Sequence, residues 1–266
     1  MGGALIRGML ASGIATSDQI TLSASTPESA ERAASALGVV AAVSNAEALR
    51  EADVVFLCVK PAKVLDVTSS VAAELAEKLV ISIVAGIHSH DILRASGGGI
   101  RLIRSMPNTA VRLRKGVTAI APDATSTAAD LETASRIFAS VGSVVEVKES
   151  DLDTVTAVSG SGPAFALLML EALAQGGVEG GLDPELSKTL ATGALASAAA
   201  LVAETGETPL ALRAEITSPG GTTAAGLEVL DDSNFPRIVR GAVRAARNRS
   251  AELSARPEST GTNAGA

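Results

Sequence analysis

The stretch Asp53–Val59, with the sequence DVVFLCV, is a continuous apolar run about as long as one β-strand. Such a run, without alternating polar side chains, predicts a strand that is buried on both faces of its sheet. Leu79–Val84, with the sequence LVISIV, has the same character. Strands covered on both faces are typical of parallel sheets, whose crossover helices pack on either side, so these two runs predict a sheet of that kind.

Shorter strand candidates alternate with helical patterns around these two runs. The clearest helix is Pro27–Leu37, because Thr26 can cap it, proline occupies its first position and Gly38 follows its end. The other strand candidates are Ile20–Leu22, Val39–Val43, Ile100–Ser105, Val117–Ala121 and Val144–Val147, and the other helix candidates are Gly2–Leu10, Asn45–Arg50, Pro61–Leu75, His90–Ala95 and Ala124–Ser140. This alternation predicts an α/β domain with a mainly parallel sheet over residues 1–149.

From about residue 150 the strand candidates disappear, and residues 150–255 are expected to form an all-α domain. Ser161–Gly176 is nearly all apolar with Glu171 as its only charge, so we expect this helix to be buried on every side. A helical unit this small offers little to bury such a helix against, and we therefore expect an obligate oligomer in which a second copy covers it. The remaining helix candidates are Glu185–Glu204, Thr222–Leu230 and Phe235–Ala255.

The composition excludes several classes of function. Aromatic residues make up 2% of the 266 residues and the net charge is -7, which argues against nucleic-acid binding. One cysteine, Cys58, and two histidines leave no internal disulfide and no expected metal site, and Cys58 is interpreted as a small buried hydrophobe on a strand.

The ends of the chain and its apolar runs bear on location. No signal peptide is apparent, and Leu190–Ala203 is interpreted as too short and too weakly hydrophobic to span a membrane. We therefore expect a cytoplasmic protein with no membrane partner. The polar tail, residues 256–266, is expected to be disordered.

Ligands of such a sheet bind beyond the carboxyl ends of its strands. The loop Ser23–Thr26 follows the first strand candidate and carries hydroxyls but no acidic residue for a ribose 2′-OH; with Arg32 nearby it favours NADP over NAD. Asn45 opens a helix where an adenosine could lie. Lys60-Pro61 and Asn108-Thr109 end two further strands of the predicted sheet.

A second ligand candidate lies in the helical half, at Thr217–Thr223, with the sequence TSPGGTT. Pro219 and the two glycines shape a tight loop that runs directly into a helix. The first N–H groups of a helix have no partner within it, and with the positive end of the dipole they suit a carboxylate or phosphate. An N-capped loop without any ligand is the alternative interpretation.

Four motifs in this order resemble the pyrroline-5-carboxylate reductase family over residues 1–253: Cys58–Pro61 (CVKP), Arg104–Thr109 (RSMPNT), Val158–Ala164 (VSGSGPA) and Thr217–Thr223 (TSPGGTT). The resemblance implies a Rossmann-like domain that binds NADPH, with NADH as the alternative cofactor. It further implies a helical dimerisation domain, a homodimer or ring of dimers, and reduction of 1-pyrroline-5-carboxylate to L-proline.

The resemblance also implies roles for individual residues. Thr223, with Ser218 in support, is the expected catalytic contact to the substrate amine, and no histidine or acidic residue is a convincing proton donor, which leaves solvent as a candidate. The substrate carboxylate is expected on the loop residues Gly220, Gly221, Thr222 and Thr223. The expected cofactor-binding residues are Gly2, Ser25, Asn45, Val59, Lys60, Pro61, Asn108 and Thr109.

The chain departs from the family pattern at its start and at Ala110, where a proline is common. Gly2 resembles the last glycine of a dinucleotide-binding motif whose first strand and first glycines are missing. Because that strand would be central in the sheet, we expect its neighbours to have unpaired edges and the chain to be poorly soluble or inactive.

Several alternatives remain open. The chain could be a related imine or β-hydroxyacid reductase, although the only lysine beyond Lys148 is Lys188, or a non-catalytic oligomer that binds a metabolite. Lys60 could be a solvated strand-end charge, Asn108 a turn residue and Ser159–Pro163 a tightly packed helix start. Arginines at helical spacing form either a solvated face or an anion-binding stripe: Arg237, Arg240, Arg244 and Arg247.

Overall fold

The computed structural model describes residues 1–254, so the predicted tail at residues 256–266 lies outside the described residues. The strands are β1 (Thr21–Leu22), β2 (Val40–Ala41), β3 (Val54–Leu57), β4 (Leu79–Ser82), β5 (Arg101–Pro107), β6 (Gly116–Pro122) and β7 (Gly142–Glu146). The helices are α1 (Gly2–Ser12), α2 (Pro27–Leu37), α3 (Asn45–Leu49), α4 (Pro61–Ser70), α5 (Ala72–Leu75), α6 (Ser89–Ala95), α7 (Ala128–Ala139), α8 (Leu152–Val155), α9 (Gly162–Glu179), α10 (Pro184–Thr205), α11 (Pro209–Glu215), α12 (Thr222–Asp232) and α13 (Phe235–Ser254).

The strands form two sheets. One has five strands in the order β3-β4-β5-β6-β7, and β1 pairs only with β2 in the other. All neighbours are parallel except β5 and β6, which are antiparallel. The predicted mainly parallel, Rossmann-like sheet is therefore confirmed, and β3 is an edge strand of the larger sheet.

Two hydrophobic clusters involve the five-stranded sheet. One joins α4, α5 and α6 to the sheet through residues such as Val64 and Ile92, both 0% exposed. The other joins α1 and α7, and in it Phe138 meets Phe56 edge to face with ring centroids 6.1 Å apart. Apolar contact on this scale is the main stabilising term of such a unit.

Local capping explains why several helices begin and end where the sequence predicts. The hydroxyl of Thr26 accepts a hydrogen bond from the Ser29 N–H, Pro27 occupies the first turn of α2, and Gly38 ends the helix at φ 70°. A left-handed residue at this position favours glycine. The predicted helix Pro61–Leu75 is instead divided at Val71, so that α4 and α5 are separate.

The chain divides into two compact units. The first comprises Met1–Gly160 together with the chain from Ala246 onward, and the second is Ser161–Ala245. The division differs from the expected boundary after residue 149, because α8 packs on the sheet through Leu152, which contacts Ala119 and Ala121. The end of α13 also belongs to the first unit, where the Ser250 hydroxyl donates to the Asp153 carboxylate at 2.6 Å.

In a single chain the helix that begins near Ser161 is not buried on every side, and its burial by a second copy stays a prediction. In α9 none of the residues is buried, and Leu167 and Leu168 are 64% and 67% exposed. Within this single chain α9 packs mainly along α10, so most of its surface is left open. The apolar sequence of α9 indicates a helix that is buried, but a single chain leaves most of its side chains exposed.

Two stretches of helix are long and apolar enough to cross a membrane by length and composition alone, Glu149–Glu179 and Pro184–Thr205, each with a mean hydropathy of 1.4. The expectation that Leu190–Ala203 is too short and too weakly hydrophobic was wrong on this criterion, because α10 extends beyond it at both ends. Core helices of proteins without membrane segments meet the same criterion.

Candidate active site

The loop after β3 lies at the carboxyl edge of the parallel strands. Four consecutive residues, Cys58 to Pro61, are exposed there, and Pro61 occupies the first position of α4. The prediction that Cys58 lies on a strand was wrong, because β3 ends at Leu57 and Cys58 is exposed in the loop beyond it. Its thiol nevertheless lies close to α1, and this partial burial raises the pKa of the thiol to about 11. Exposed apolar Val59 beside Lys60 suits a ligand with both a ring and a phosphate.

Gly2 brings the first turn of α1 close to this edge. A Cβ at Gly2 would lie 3.2 Å from the Cβ of Cys58, which is tighter than ordinary contact. Glycine therefore lets α1 approach the end of β3, and the positive end of the helix dipole lies beside the loop. This is the geometry expected of the last glycine in a dinucleotide-binding turn.

A second group of candidate residues follows β1. The Ser23 hydroxyl donates to the Asn45 side-chain oxygen at 2.8 Å and so joins this loop to the start of α3. Ser25 and Arg32 are exposed beside it. The structure thus brings Ser25 and Asn45 to the same end of the small sheet, where hydroxyls and a cation can meet a phosphate.

The side chain of Asn108 has a structural task. Its oxygen accepts hydrogen bonds from the N–H groups of Ala110 at 3.2 Å and Val117 at 3.3 Å, and the residue is 9% exposed. It caps the 3₁₀ turn Thr109–Leu113 and holds that turn to β6, as the turn-residue alternative describes. Thr109 beside it is exposed.

The loop Thr217–Thr223 lies in the second unit and precedes α12. Gly220 adopts φ 69°, a conformation that favours glycine, and Gly221 is the N-cap of the helix without a side-chain cap. The Gly221 N–H donates to the Ser218 carbonyl at 3.0 Å, so it is occupied in a tight turn rather than open to a carboxylate as expected. The N–H groups of Thr222 and Thr223 then form the start of the helix, and Ser218 and Thr223 are exposed.

Sequence reasoning missed an ion pair between β5 and the segment that precedes α8. Arg104 on β5 is 6% exposed, and its Nη1 donates to the Glu149 carboxylate at 2.9 Å. The Ser89 N–H donates to the same oxygen at 2.7 Å. Partial burial opposes ionisation, but these hydrogen bonds together lower the pKa of Glu149 below its usual value. The signal that could have predicted an acidic partner is Arg104, an arginine within the buried part of β5.

Metal ligation has no support in the described chain. Residues 1–254 contain no group of three histidine, cysteine or acidic side chains close enough to hold an ion. His88 and His90 stack on each other with centroids 5.4 Å apart, and His90 is largely exposed.

Comparisons with known proteins identify the family of this chain. Residues 149–253 match the family model for pyrroline-5-carboxylate reductase dimerisation, and residues 1–86 match that for coenzyme F420-dependent NADP oxidoreductases. The pyrroline-5-carboxylate reductase of Methanosarcina acetivorans is 39% identical over 95% of this chain and 94% of its own length.

This chain belongs to the pyrroline-5-carboxylate reductase family.

Solved structures of the reductase family share the fold over nearly the whole chain. The Coxiella burnetii enzyme superposes with a TM-score of 0.88 at 32% identity, covering 94% of both chains. The Plasmodium falciparum enzyme, solved with NADP bound, superposes with a TM-score of 0.86 at 30% identity, covering 96% of this chain and 94% of its own. The predicted family, enzyme class and two-part architecture are confirmed.

Proposed function

We propose that this chain reduces 1-pyrroline-5-carboxylate to L-proline with NADPH, the last step of proline biosynthesis. The observation that carries the proposal is the 39% identity to a pyrroline-5-carboxylate reductase over 95% of the chain. The exposed loops described above support it, because residue types suited to a dinucleotide lie in the first unit and an anion-binding helix start lies in the second.

NADPH supplies a hydride from nicotinamide C4 to the carbon of the substrate C=N bond. Gly2 lets the first turn of α1 approach the pyrophosphate, with Val59, Lys60 and Pro61 beside it. Ser25 and Asn45 hold the adenosine end, where hydroxyls without an acidic neighbour accept a 2′-phosphate and so favour NADPH over NADH. Thr109 lies at the end of β5, and Asn108 acts by holding that turn in place.

The substrate side of the proposal rests on Thr217–Thr223. The N–H groups of Thr222 and Thr223 bind the substrate carboxylate at the positive end of α12. Gly220 and Gly221 shape the turn that opens this helix, and Ser218 adds a hydroxyl. The Thr223 hydroxyl would bind the ring nitrogen of the substrate. The basicity of this nitrogen rises when the C=N bond is reduced, so the hydroxyl would hold the atom that must gain a proton.

A homodimer completes the second unit in this proposal. The open apolar faces of α9 and α10 are those a second copy would cover, and the match of residues 149–253 to a dimerisation family supports that occupant. Burial between copies also accounts for two helices apolar enough to span a membrane, so we place the protein in the cytoplasm without a membrane partner. Whether dimers assemble further into rings stays a prediction.

The direct test is oxidation of NADPH by the purified protein in the presence and absence of 1-pyrroline-5-carboxylate. We expect oxidation that depends on this substrate and a product that is L-proline by chiral chromatography. Such turnover would contradict the expectation from the sequence that the chain is poorly soluble or inactive. Titration with NADPH separates the possible failures: cofactor binding without turnover contradicts the proposed substrate, and no cofactor binding contradicts the proposed enzyme class.

The alternative β-hydroxyacid reductases normally rely on a lysine in the helical part, and no observation favours them here. Lys188 pairs with Glu185 one turn earlier on α10 at 2.6 Å, and its side chain is 58% exposed. Such an exposed pair is typical of a solvated helix face. Substitution Lys188→Ala should therefore leave turnover within about twofold.

A further inference from the structure

The turn Thr156–Gly160 is a π-helix between α8 and α9, within the motif VSGSGPA. One-turn π-helices are rare and often lie at functional sites, because the wider turn places a side chain where an α-helix would not. Ala157 in this turn is 0% exposed, so the turn is firmly packed within the first unit. None of the roles proposed above uses this motif.

The π-turn lies against the carboxyl end of β5. A Cβ at Gly160 would come within 3.0 Å of the Met106 Cε, so the backbone there contacts the strand that leads into Asn108 and Thr109. Strand β5 runs parallel to β4, and β4 to β3, so this end belongs to the same edge as Val59–Pro61. Ligands of a parallel sheet bind beyond this edge.

Ser159 carries an unused polar group in the turn. Its Oγ is fully buried, and the described part of the chain offers it no hydrogen-bond partner. Leaving a buried hydroxyl unpaired costs about 1–3 kcal/mol, so a ligand that supplies a hydrogen-bond partner here would gain affinity from it. Three other buried polar atoms of the described chain also have no partner, Thr68 Oγ1, Arg101 Nε and Arg104 Nε, but none of them lies in the π-turn. By contrast, the hydroxyl of Thr156 in the same turn donates to the Leu152 carbonyl at 2.8 Å.

The surroundings favour a neutral ligand group. The side chain that lies against this turn from β5 is the apolar Met106, and the Arg104 guanidinium is paired with the Glu149 carboxylate at 2.9 Å. A phosphate would need a cation or several N–H donors. A carboxamide matches a hydroxyl, since both groups donate and accept hydrogen bonds.

We propose that the Ser159 hydroxyl binds the carboxamide of the nicotinamide ring and so fixes which ring face and which edge meet the substrate. This inference rests on the proposed function, which places the adenosine end of the dinucleotide at Ser25 and Asn45. The nicotinamide end then extends beyond β3 toward the ends of β4 and β5, where Ser159 lies. The residue is a cofactor contact in the first unit.

The test compares two ligands by calorimetric titration, NADP⁺ and 2′-phospho-ADP-ribose, which lacks the nicotinamide. Substitution Ser159→Ala should weaken NADP⁺ binding about tenfold, the effect of one lost hydrogen bond to a buried group, and leave 2′-phospho-ADP-ribose binding unchanged. The matched control is Thr154→Ala, which removes an exposed hydroxyl from α8 in the same segment. It should change neither affinity.

Equal weakening of both ligands would show a structural role for the hydroxyl and overturn the proposal. So would NADP⁺ affinity that Ser159→Ala leaves unchanged, or wild-type protein that binds no NADP⁺. A wild-type protein that binds NADP⁺ but does not turn over 1-pyrroline-5-carboxylate contradicts the proposed function alone, because the Ser159 comparison is measured by binding.

Discussion

The two compact units use their apolar residues in opposite ways. The first contains fully buried side chains on both sides of its five-stranded sheet, such as Leu75, Ile81 and Phe138. The second, Ser161–Ala245, buries only Ser187, Ala191 and Leu212. The large apolar side chains that it exposes are Leu167, Leu168, Leu173, Val178, Leu182, Leu186, Leu190, Leu201, Leu210, Ile216, Val229, Ile238 and Val239.

The first unit buries its apolar side chains within one chain, whereas the second unit leaves most of its large apolar side chains exposed. Exposed apolar patches on this scale mark surfaces that associate, and obligate dimer interfaces resemble a domain core cut in two. A sheet can bury both faces with helices from its own chain, whereas two long antiparallel helices bury one stripe each and leave the rest open. The first unit is therefore expected to be stable within a single chain, whereas folding of the second unit is expected to be coupled to association with a second copy.

The largest expected effect comes from a charge placed on the open face of α9. Substitution Leu168→Glu should dissociate the dimer, weakening association by at least about a hundredfold, because an unpaired carboxylate would be buried between the copies. Analytical ultracentrifugation would measure the change from dimer to monomer mass.

The matched control for this charge is Leu113→Glu in the first unit. Leu113 is 68% exposed and Leu168 is 67% exposed, so the two substitutions remove the same side chain at the same exposure. The control should leave the dimer mass unchanged. Dissociation by both variants, or by neither, would remove the distinction between the units.

The second prediction concerns how stability depends on protein concentration. Substitution Ile81→Ala, at a residue with 0% exposure, should cost about 2–5 kcal/mol at any concentration, because it leaves a cavity in a core made by one chain. Substitution Leu173→Ala, at a residue with 42% exposure in one chain, should cost stability through the dimer equilibrium.

Denaturant unfolding at several protein concentrations distinguishes the two cases. The midpoint of a dimeric protein rises with concentration, and Leu173→Ala should shift that dependence while Ile81→Ala lowers the free energy of unfolding without altering it. Concentration-independent unfolding of the wild-type protein would contradict the proposed dimer.

The third prediction tests the ligand loops, which also fall on opposite sides of the division. Substitution Thr223→Ala in the second unit should lower kcat/KM about 10- to 100-fold while NADPH affinity stays nearly constant, because the role proposed for the hydroxyl is a contact with the substrate and not with the cofactor. Steady-state kinetics and NADPH titration would measure the two quantities. The control Thr189→Ala removes another exposed hydroxyl of this unit, one that bonds only to the Glu185 carbonyl of its own helix.

Loss of NADPH affinity in Thr223→Ala would place the threonine on the cofactor side and contradict its assignment. Unchanged kinetics would remove it from the site altogether.

Most of the predictions that the structure confirmed rest on interactions between residues close together in the sequence. Pro27–Leu37 was predicted to the residue because its cap, its first-turn proline and its terminal Gly38 all act within the helix itself. The buried run at Leu79 likewise predicted a strand whose residues are all buried. The apolar run at Asp53 also predicted a strand covered on both faces, and the side chains of β3 do pack into both hydrophobic clusters. What failed was the end of that strand: β3 stops at Leu57, so Cys58 lies in the following loop.

In the candidate site too, local features could be predicted from the sequence and tertiary contacts could not. The residue types of Thr217–Thr223 predicted a tight loop before a helix, but the occupied Gly221 N–H depends on how the turn closes onto Ser218. The Arg104–Glu149 pair joins residues 45 positions apart, and neither periodicity nor motif spacing could have paired them. The exposure of α9 within one chain could not be predicted either, because an apolar helix has the same sequence pattern whether its own chain or a second copy buries it.

The smallest expected effect belongs to that ion pair, which ties β5 and the start of α6 to the last residues before α8. The pKa of Glu149 is lowered in the folded chain, so the carboxylate contributes stability above the pKa it has when unfolded. That contribution is lost as the pH falls through the lower, folded value. Wild-type protein should therefore be more thermally stable than Glu149→Gln at pH 7, and the gap should narrow once the pH falls below the ordinary glutamate pKa of about 4.3 and close below the lower, folded value.

The gap should be small, about 1 kcal/mol or less, because the Glu149 side chain is 34% exposed and solvent screens the pair. The matched control is Glu132→Gln on α7, an exposed carboxylate, which should leave the melting temperature near the wild-type value from pH 7 to pH 4. A gap that persists at low pH would mean that Glu149 acts through packing. Because this pair lies wholly in the first unit, its effect should also be independent of protein concentration, in contrast to every apolar substitution on α9.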